Sequence, residues 1–306
     1  MSVNRLGLGT APLGNLFTAI PDDDALATVW AAWEQGVRFF DTAPQYGHGL
    51  AETRLGEVLV GLPRDEFVLA SKVGRLLRHP DGARPSTIFR DVPEVDPVFD
   101  FSRDGVLRSL EESLQRLRTD RLDVVHVHDP DDHEAEAMTS AFPTLIELRE
   151  QGVIRQVGCG MNQAAMLGRF VERVDLDCVL LAGRYSLLDR SGGALLELCR
   201  ARDVEVILGG VFNSGLLARP EVDATFDYAT ASAALVARAR SMQSVCASFG
   251  VTLPEAAVQF ALRHPAVSTV LVGARSVQEV VDDVSYATST VPADLWSALE
   301  AVVRQE

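Results

Sequence analysis

The amino-acid sequence predicts an α/β fold, a closed (β/α)8 barrel of the TIM type with long loops at the C-terminal face. Three observations predict it. Eight short apolar runs punctuate the chain, and helical patterns alternate with them. The 306 residues suit one such barrel of about 250 residues plus insertions. No Gly-, Pro- or Ser-rich linker and no repeat of about 20–50 residues divides the chain, so residues 1–306 read as one barrel domain.

The first apolar run covers residues 6–10. After Pro21 the cluster Asp22-Asp23-Asp24 is suited to cap a helix whose apolar positions are Leu26, Val29, Trp30 and Trp33. Gly36 stops it, and the second run, 37–42, follows. Helical patterns at 52–60, 103–117 and 141–150 lead into the runs 67–72, 122–128 and 155–160. The sixth run is 178–183, and the seventh, 204–210, comes after a helical pattern at 193–202. Two helices at 231–249 and 254–263 precede the eighth run, 268–273, and helices at 277–286 and 293–303 close the chain. Runs this apolar fit strands covered on both faces. An open doubly wound sheet shares the alternation, but eight units favour closure. The connections 75–101 and 212–230 are long enough to be lids or binding loops.

The formal charge of −15 repels nucleic acid and anionic membranes, leaving small molecules as the expected partners. No apolar run reaches about 18 residues. Met1-Ser2-Val3-Asn4-Arg5 lacks a basic-then-apolar signal pattern, so a cytoplasmic protein, monomer or homodimer, is expected. Cys159, Cys178, Cys199 and Cys246 form no CxxC motif and read as reduced core cysteines.

Chemistry in such a barrel collects at the C-terminal strand ends, which here carry Asp41 and Tyr46, Lys72, His128 and Asp129, and Asn162. A lysine ending a buried strand is costly unless a carboxylate pairs with it, and Asp41 ends the neighbouring strand. Near Lys72, the Tyr46 phenol becomes a usable acid or base. A unit charge at about 4 Å contributes about 4 kcal/mol at an effective dielectric of about 20. That lowers a phenol pKa of about 10 by up to about three units, less desolvation. His126 and His128 point to the same face under strand alternation. With Asp129, Asp131, Asp132 and His133 they also suggest a metal-dependent hydrolase. A catalytic zinc usually takes three protein ligands, and no further strand-end histidine is available, so no metal is expected.

Phe39-Phe40-Asp41-Thr42-Ala43-Pro44-Gln45-Tyr46-Gly47 resembles the first aldo-keto reductase signature. Ser71-Lys72-Val73 resembles that family's lysine strand, and Leu122-Asp123-Val124-Val125-His126-Val127-His128 its histidine strand. The resemblance covers almost the whole chain, in the family's order and spacing. It implies an enzyme that moves a hydride between NAD(P) and a carbonyl or hemiacetal. Tyr46 would pass the proton, Lys72 perturb it, Asp41 hold Lys72, and His128 orient the substrate oxygen. Asn162 matches the asparagine that holds the nicotinamide carboxamide, and Phe212 lies near the ring that stacks on it. Asn213, Ser214, Gly215 and Leu216 resemble the pyrophosphate loop. Gly273, Ala274, Arg275 and Ser276 lead into the helix that binds the adenosine end.

Some positions depart from the common pattern. Met161 stands where the family often has serine, Ala182 where it has glutamine, and Asp282-Asp283 where it has Glu-Asn. Glu279 stands where many members have a basic or amide residue beside the 2′-phosphate, so NAD is expected in preference to NADP. Asp129 replaces the tryptophan that often follows the histidine, and a carboxylate there suits a polyhydroxyl ligand or a cation. This combination resembles the branch containing L-fucose and D-threo-aldose 1-dehydrogenases, pyridoxal 4-dehydrogenase and L-galactose dehydrogenase. The leading expectation is oxidation of an aldose hemiacetal to its lactone, with pyridoxal oxidation as the close rival. Some barrels of this family are non-catalytic cofactor-sensing subunits, which the set Asp41, Tyr46, Lys72 and His128 argues against.

Overall fold

The computed structural model describes residues 3–80, 82, 87–221 and 224–303. Residues 81 and 83–86 of the first long connection, 222–223 of the second, and the chain ends, including Met1 and Ser2 of the N-terminal reading, lie outside the described residues.

Eight parallel strands close a barrel: β1 (Leu6–Gly9), β2 (Phe39–Asp41), β3 (Val68–Val73), β4 (Val124–His128), β5 (Gln156–Met161), β6 (Cys178–Ala182), β7 (Glu205–Gly209) and β8 (Val267–Val272). Closure runs through β8 on β1, where Leu6 pairs with Val270 and Leu8 with Val272. Each expected run overlaps its strand, with ends shifted by at most two residues.

The longer α-helices, of nine residues or more, are α1 (Asp22–Glu34), α2 (Leu50–Leu59), α3 (Arg103–Leu117), α4 (Phe142–Glu150), α5 (Ala164–Arg173), α6 (Gly193–Arg202), α7 (Ala233–Ser248), α8 (Leu253–Leu262), α9 (Val277–Thr288) and α10 (Ala293–Val303). Helix α5 has no counterpart among the expected helices, although it buries Met166, Leu167, Phe170 and Val171 at helical spacing. The three aspartates before Leu26 do not cap α1. Pro21 is the N-cap, and Asp22, Asp23 and Asp24 fill the first turn, where they complement the helix dipole.

Ala70, Val124, Cys178, Leu180, Ile207 and Leu271 pack together within the barrel. A larger shell that includes Phe40, Leu69, Val125, Phe142 and Phe170 joins strands to helices. All four cysteines are free and buried. Among the described residues, no single helix is long and apolar enough to cross a membrane.

Neither long connection is featureless. The first pairs Arg75–Arg78 with Asp96–Phe99 in an antiparallel hairpin, and the second pairs Thr225–Phe226 with Ala229–Thr230. They follow β3 and β7, so both rise from the C-terminal face.

Candidate active site

The β3–β4 register places Lys72 beside His126, and β2 delivers Asp41 at its end. The Lys72 ammonium donates to Asp41 Oδ1 and Oδ2 at 2.9 and 2.8 Å and to the Thr42 carbonyl at 2.9 Å. Lys72 and Asp41 are both buried, so the charges satisfy each other where water does not. Burial raises the Asp41 carboxyl, and Lys72 opposes that shift.

Tyr46 is held by backbone crossing backbone. A Cβ on Gly14 would meet the Tyr46 carbonyl carbon at 2.6 Å, and one on Gly47 would meet the Gly14 oxygen at 2.5 Å. Gly47 also sits at φ +62°. Next to it, buried His48 bonds the Val95 carbonyl at 2.5 Å through Nδ1, tying the turn to the first hairpin. The Tyr46 ring lies with its centroid 4.6 Å from the Lys72 ammonium. His128 meets it edge-on, with centroids 6.0 Å apart. The four residues expected to carry chemistry therefore meet at one point.

One expectation reverses. The sequence predicts that Lys72 lowers the Tyr46 pKa; instead burial lifts the phenol well above its ordinary value near 10, and Asp41, Tyr228 and Asp129 add to the rise while Arg75 opposes it. The reason is geometric: the Lys72 charge is spent on Asp41. Tyr46 is thus a neutral phenol, a proton donor at rest. His128 is pushed well below the usual histidine value, first by burial and then by Arg75, Lys72 and His126. Its imidazole is neutral.

The acidic and histidine cluster after β4 does not converge on a point. His126 is fully buried, and burial with Lys72 lowers it to about 3. His133 packs against Phe99 and Phe101 at 5.0 and 5.1 Å. Among the described residues no group of three His, Cys, Asp or Glu could hold a metal ion.

A cavity of about 450 Å³ starts at Asp41 and Tyr46 and extends to α9. Phe212, Asn213, Ser214, Gly215, Gly273, Arg275, Glu279 and Asp283 all line it, as do Ala182 and Gly210. An elongated apolar trough with a glycine-rich wall, ending at a helix N-terminus, fits a dinucleotide. Two expected cofactor residues lie outside this lining, and a third lines it with its side chain already bonded. Asn162 is half-buried just past β5, outside the cavity lining. Leu216 buries its side chain with Ala231, Val236 and Ala239, so only its backbone is left to serve the expected pyrophosphate loop. The Asn213 side chain is spent on structure, accepting from Ser186 Oγ at 2.6 Å and donating to the Gly183 carbonyl at 3.2 Å.

The aldo/keto reductase family model matches residues 5–304. The chain belongs to the aldo/keto reductase family. It is an oxidoreductase that uses a nicotinamide cofactor. The D-threo-aldose 1-dehydrogenase of a Pseudomonas species is 40% identical, over 98% of this chain and 94% of the relative. The pyridoxal 4-dehydrogenase of Microbacterium luteolum is 39% identical over the same shares. Among solved structures, the holo form of the aldo-keto reductase AKR11C1 from Bacillus halodurans superposes with a TM-score of 0.77 at 25% identity, covering 97% of this chain and 91% of that one.

Two residues of this aldo-keto reductase site escaped the sequence reading. Arg75, first in its hairpin, donates to Asp129 Oδ2 at 2.8 Å and lies over the Phe99 ring at 4.7 Å. Tyr228 lines the cavity from the tip of the second hairpin, where Asp227 and Tyr228 have φ +51° and +64°. Its ring meets Phe17 at 6.4 Å, and Arg184 anchors the tip through Asp227 at 2.9 Å. No glycine marks that turn, so no local signal announced it.

Proposed function

We propose that this chain, working as one barrel domain, oxidises an aldose in its cyclic hemiacetal form to the lactone with NAD. The observation that carries this reading is Asp129: its carboxylate lies 3.4 Å from His128 Nε2 and is one-third exposed. A carboxylate beside the group that orients the reacting oxygen accepts bonds from hydroxyls. Arg75 already neutralises it, which favours a polyhydroxyl ligand over a cationic one.

The bound nicotinamide supplies hydride transfer. The chain manages the proton and the oxygen. His128, neutral, bonds the C1 oxygen and presents it to Tyr46. In oxidation Tyr46, having first lost its own proton to solvent, takes the C1 hydroxyl proton as the C1–H hydride leaves for the nicotinamide and C1=O forms; in reduction the neutral phenol gives that proton back. Lys72, held by Asp41, supports the Tyr46 ring from its face.

Glu279 supports NAD. It accepts from the Arg275 backbone N–H at 2.8 Å and from the Arg275 guanidinium at 3.1 Å. The cation that would hold a 2′-phosphate is engaged, and Glu279 and Asp282 make that end of the cavity acidic. The free, buried cysteines fit a reducing, cytoplasmic setting.

Assays with NAD and NADP against L-fucose, D-arabinose, L-galactose and pyridoxal test the reading. Turnover of an aldose with NAD above pyridoxal supports it. Activity on pyridoxal alone would replace it with the rival, and silence on all four would end it.

A further inference from the structure

The proposed reaction uses Asp129, but it leaves Arg75 unexplained. Arg75 follows Gly74, whose φ of +101° turns the chain sharply out of β3. A Cβ at Gly74 would lie 2.2 Å from the Phe101 ring. The turn sends the Arg75 side chain over the barrel mouth, where it is 8% exposed. Phe99 supports its face at 4.7 Å, and one nitrogen, Nη2, reaches Asp129 Oδ2 at 2.8 Å. Its Nε is buried and has no partner among the described residues.

A buried guanidinium that uses part of its fork is costly, because each unpaired N–H forfeits its hydration. The arrangement is also primed. Phe99 and Asp129 fix the guanidinium plane, so a ligand oxygen would find it already oriented. Asp129 is itself held at φ +43°, a conformation that a non-glycine residue adopts at a cost. Two strained or underused groups touching each other beside Tyr46 and His128 mark a binding device rather than packing.

We propose that Arg75 and Asp129 act as one two-headed anchor for the hydroxyl on the carbon next to the reacting one. This rests on the hemiacetal reading above. His128 Nε2 and Asp129 Oδ2 are 3.4 Å apart. Oxygens on adjacent sugar carbons are separated by about one hydrogen-bond length, ~3 Å. A sugar whose C1 oxygen bonds His128 therefore brings its C2 hydroxyl to the pair. That hydroxyl donates to Asp129 and accepts from Arg75, giving both heads a partner. A 2-deoxy sugar displaces water from both and leaves them only each other.

The test measures NADH formation with two matched pairs: D-arabinose against 2-deoxy-D-ribose, and L-fucose against 2-deoxy-L-fucose. The wild-type protein is expected to favour the hydroxylated member by about 100-fold or more in kcat/KM, since sites built to bond a hydroxyl reject its absence strongly. In Arg75→Met the ratio falls towards one, with the loss concentrated on the hydroxylated sugar. Arg75→Lys, which keeps the charge but not the fork, gives a ratio in between. If the Met variant does not fold, the Lys variant decides. A wild-type ratio kept by the folded Arg75 variant overturns the anchor while leaving the aldose reading intact. A wild-type protein that oxidises no aldose removes both.

Discussion

The Lys72 ammonium sits over the face of the Tyr46 ring, 4.6 Å from its centroid, and binds both carboxylate oxygens of Asp41. The contact props the ring and contributes a cation–π attraction. It does not leave a free positive charge beside the phenol oxygen. Tyr46 is held in place by Lys72 and kept protonated by burial.

Tyr46→Phe keeps the ring, the Lys72 contact and the His128 contact but removes the proton. Oxidation of the aldose should fall by about 10²- to 10⁴-fold in kcat, the range general acid–base catalysis supplies. Binding of NADH, followed by its fluorescence, should stay within a few-fold of wild type. A variant that keeps full turnover would exclude Tyr46 as the proton carrier.

The same protonation sets opposite pH responses for the two directions. A phenol raised well above its usual range is protonated throughout the neutral region. Reduction needs the protonated form, so its rate should be flat across that region. Oxidation needs the deprotonated form, so log kcat/KM should climb with a slope of about one as pH rises. A bell centred near neutrality for oxidation would mean that the phenol titrates far lower than this geometry requires.

The barrel was legible because parallel strands buried on both faces must be written as short apolar runs, and eight such runs are hard to arrange otherwise. Asp41, Lys72 and His128 were legible because strand ends are where the fold puts chemistry. Arg75 and Tyr228 were not. Arg75 is fixed at the site by Phe99 from the returning strand of its hairpin, and Tyr228 by the Arg184–Asp227 pair at the tip of the other. Gly74 marks a turn beside Arg75, but nothing local to either residue tells which distant partner fixes it. The direction of the Tyr46 shift is not legible in sequence for the same reason: spacing shows that a cation is near, but not what it is already bonded to.

Gly47 tests how tightly the tyrosine is placed. Ala at this position would have to adopt φ +62° and clash with the Gly14 oxygen. Gly47→Ala should cost at least about 2 kcal/mol of stability, read as a lowered denaturation midpoint. Because the displaced backbone carries Tyr46, kcat should drop more than the loss of folded protein accounts for. Activity that scales only with the folded fraction would show that Tyr46 tolerates the shift.

Glu279→Gln should relax cofactor choice. The amide can still bond the Arg275 backbone, but it no longer neutralises the guanidinium. Hydrogen bonds to charged groups are worth about 1.5–3 kcal/mol, so the NADP/NAD ratio of kcat/KM should rise by about 10- to 100-fold. An unchanged ratio would place the 2′ position elsewhere in the cavity.

Asp283 couples this acidic end of the cavity to stability. It is 6% exposed, and burial, reinforced by Glu279 and Asp282, raises its carboxyl from 3.8 to about 8. The folded protein therefore holds a proton that the unfolded chain releases. The stabilisation is complete below the unfolded value near 3.8 and is lost as pH rises to about 8, because ionisation increasingly favours the unfolded state. Asp283→Asn cannot ionise and escapes that loss. Its stability relative to wild type should therefore rise steadily between about pH 5 and pH 8 and level off above, measured as the difference in urea midpoints at each pH. The family's usual asparagine at this place gives the variant a reason to fold well. A difference that stays constant across that range would mean that Asp283 is ionised and solvated in the folded protein, and the acidic repulsion invoked against a 2′-phosphate would then be stronger rather than weaker.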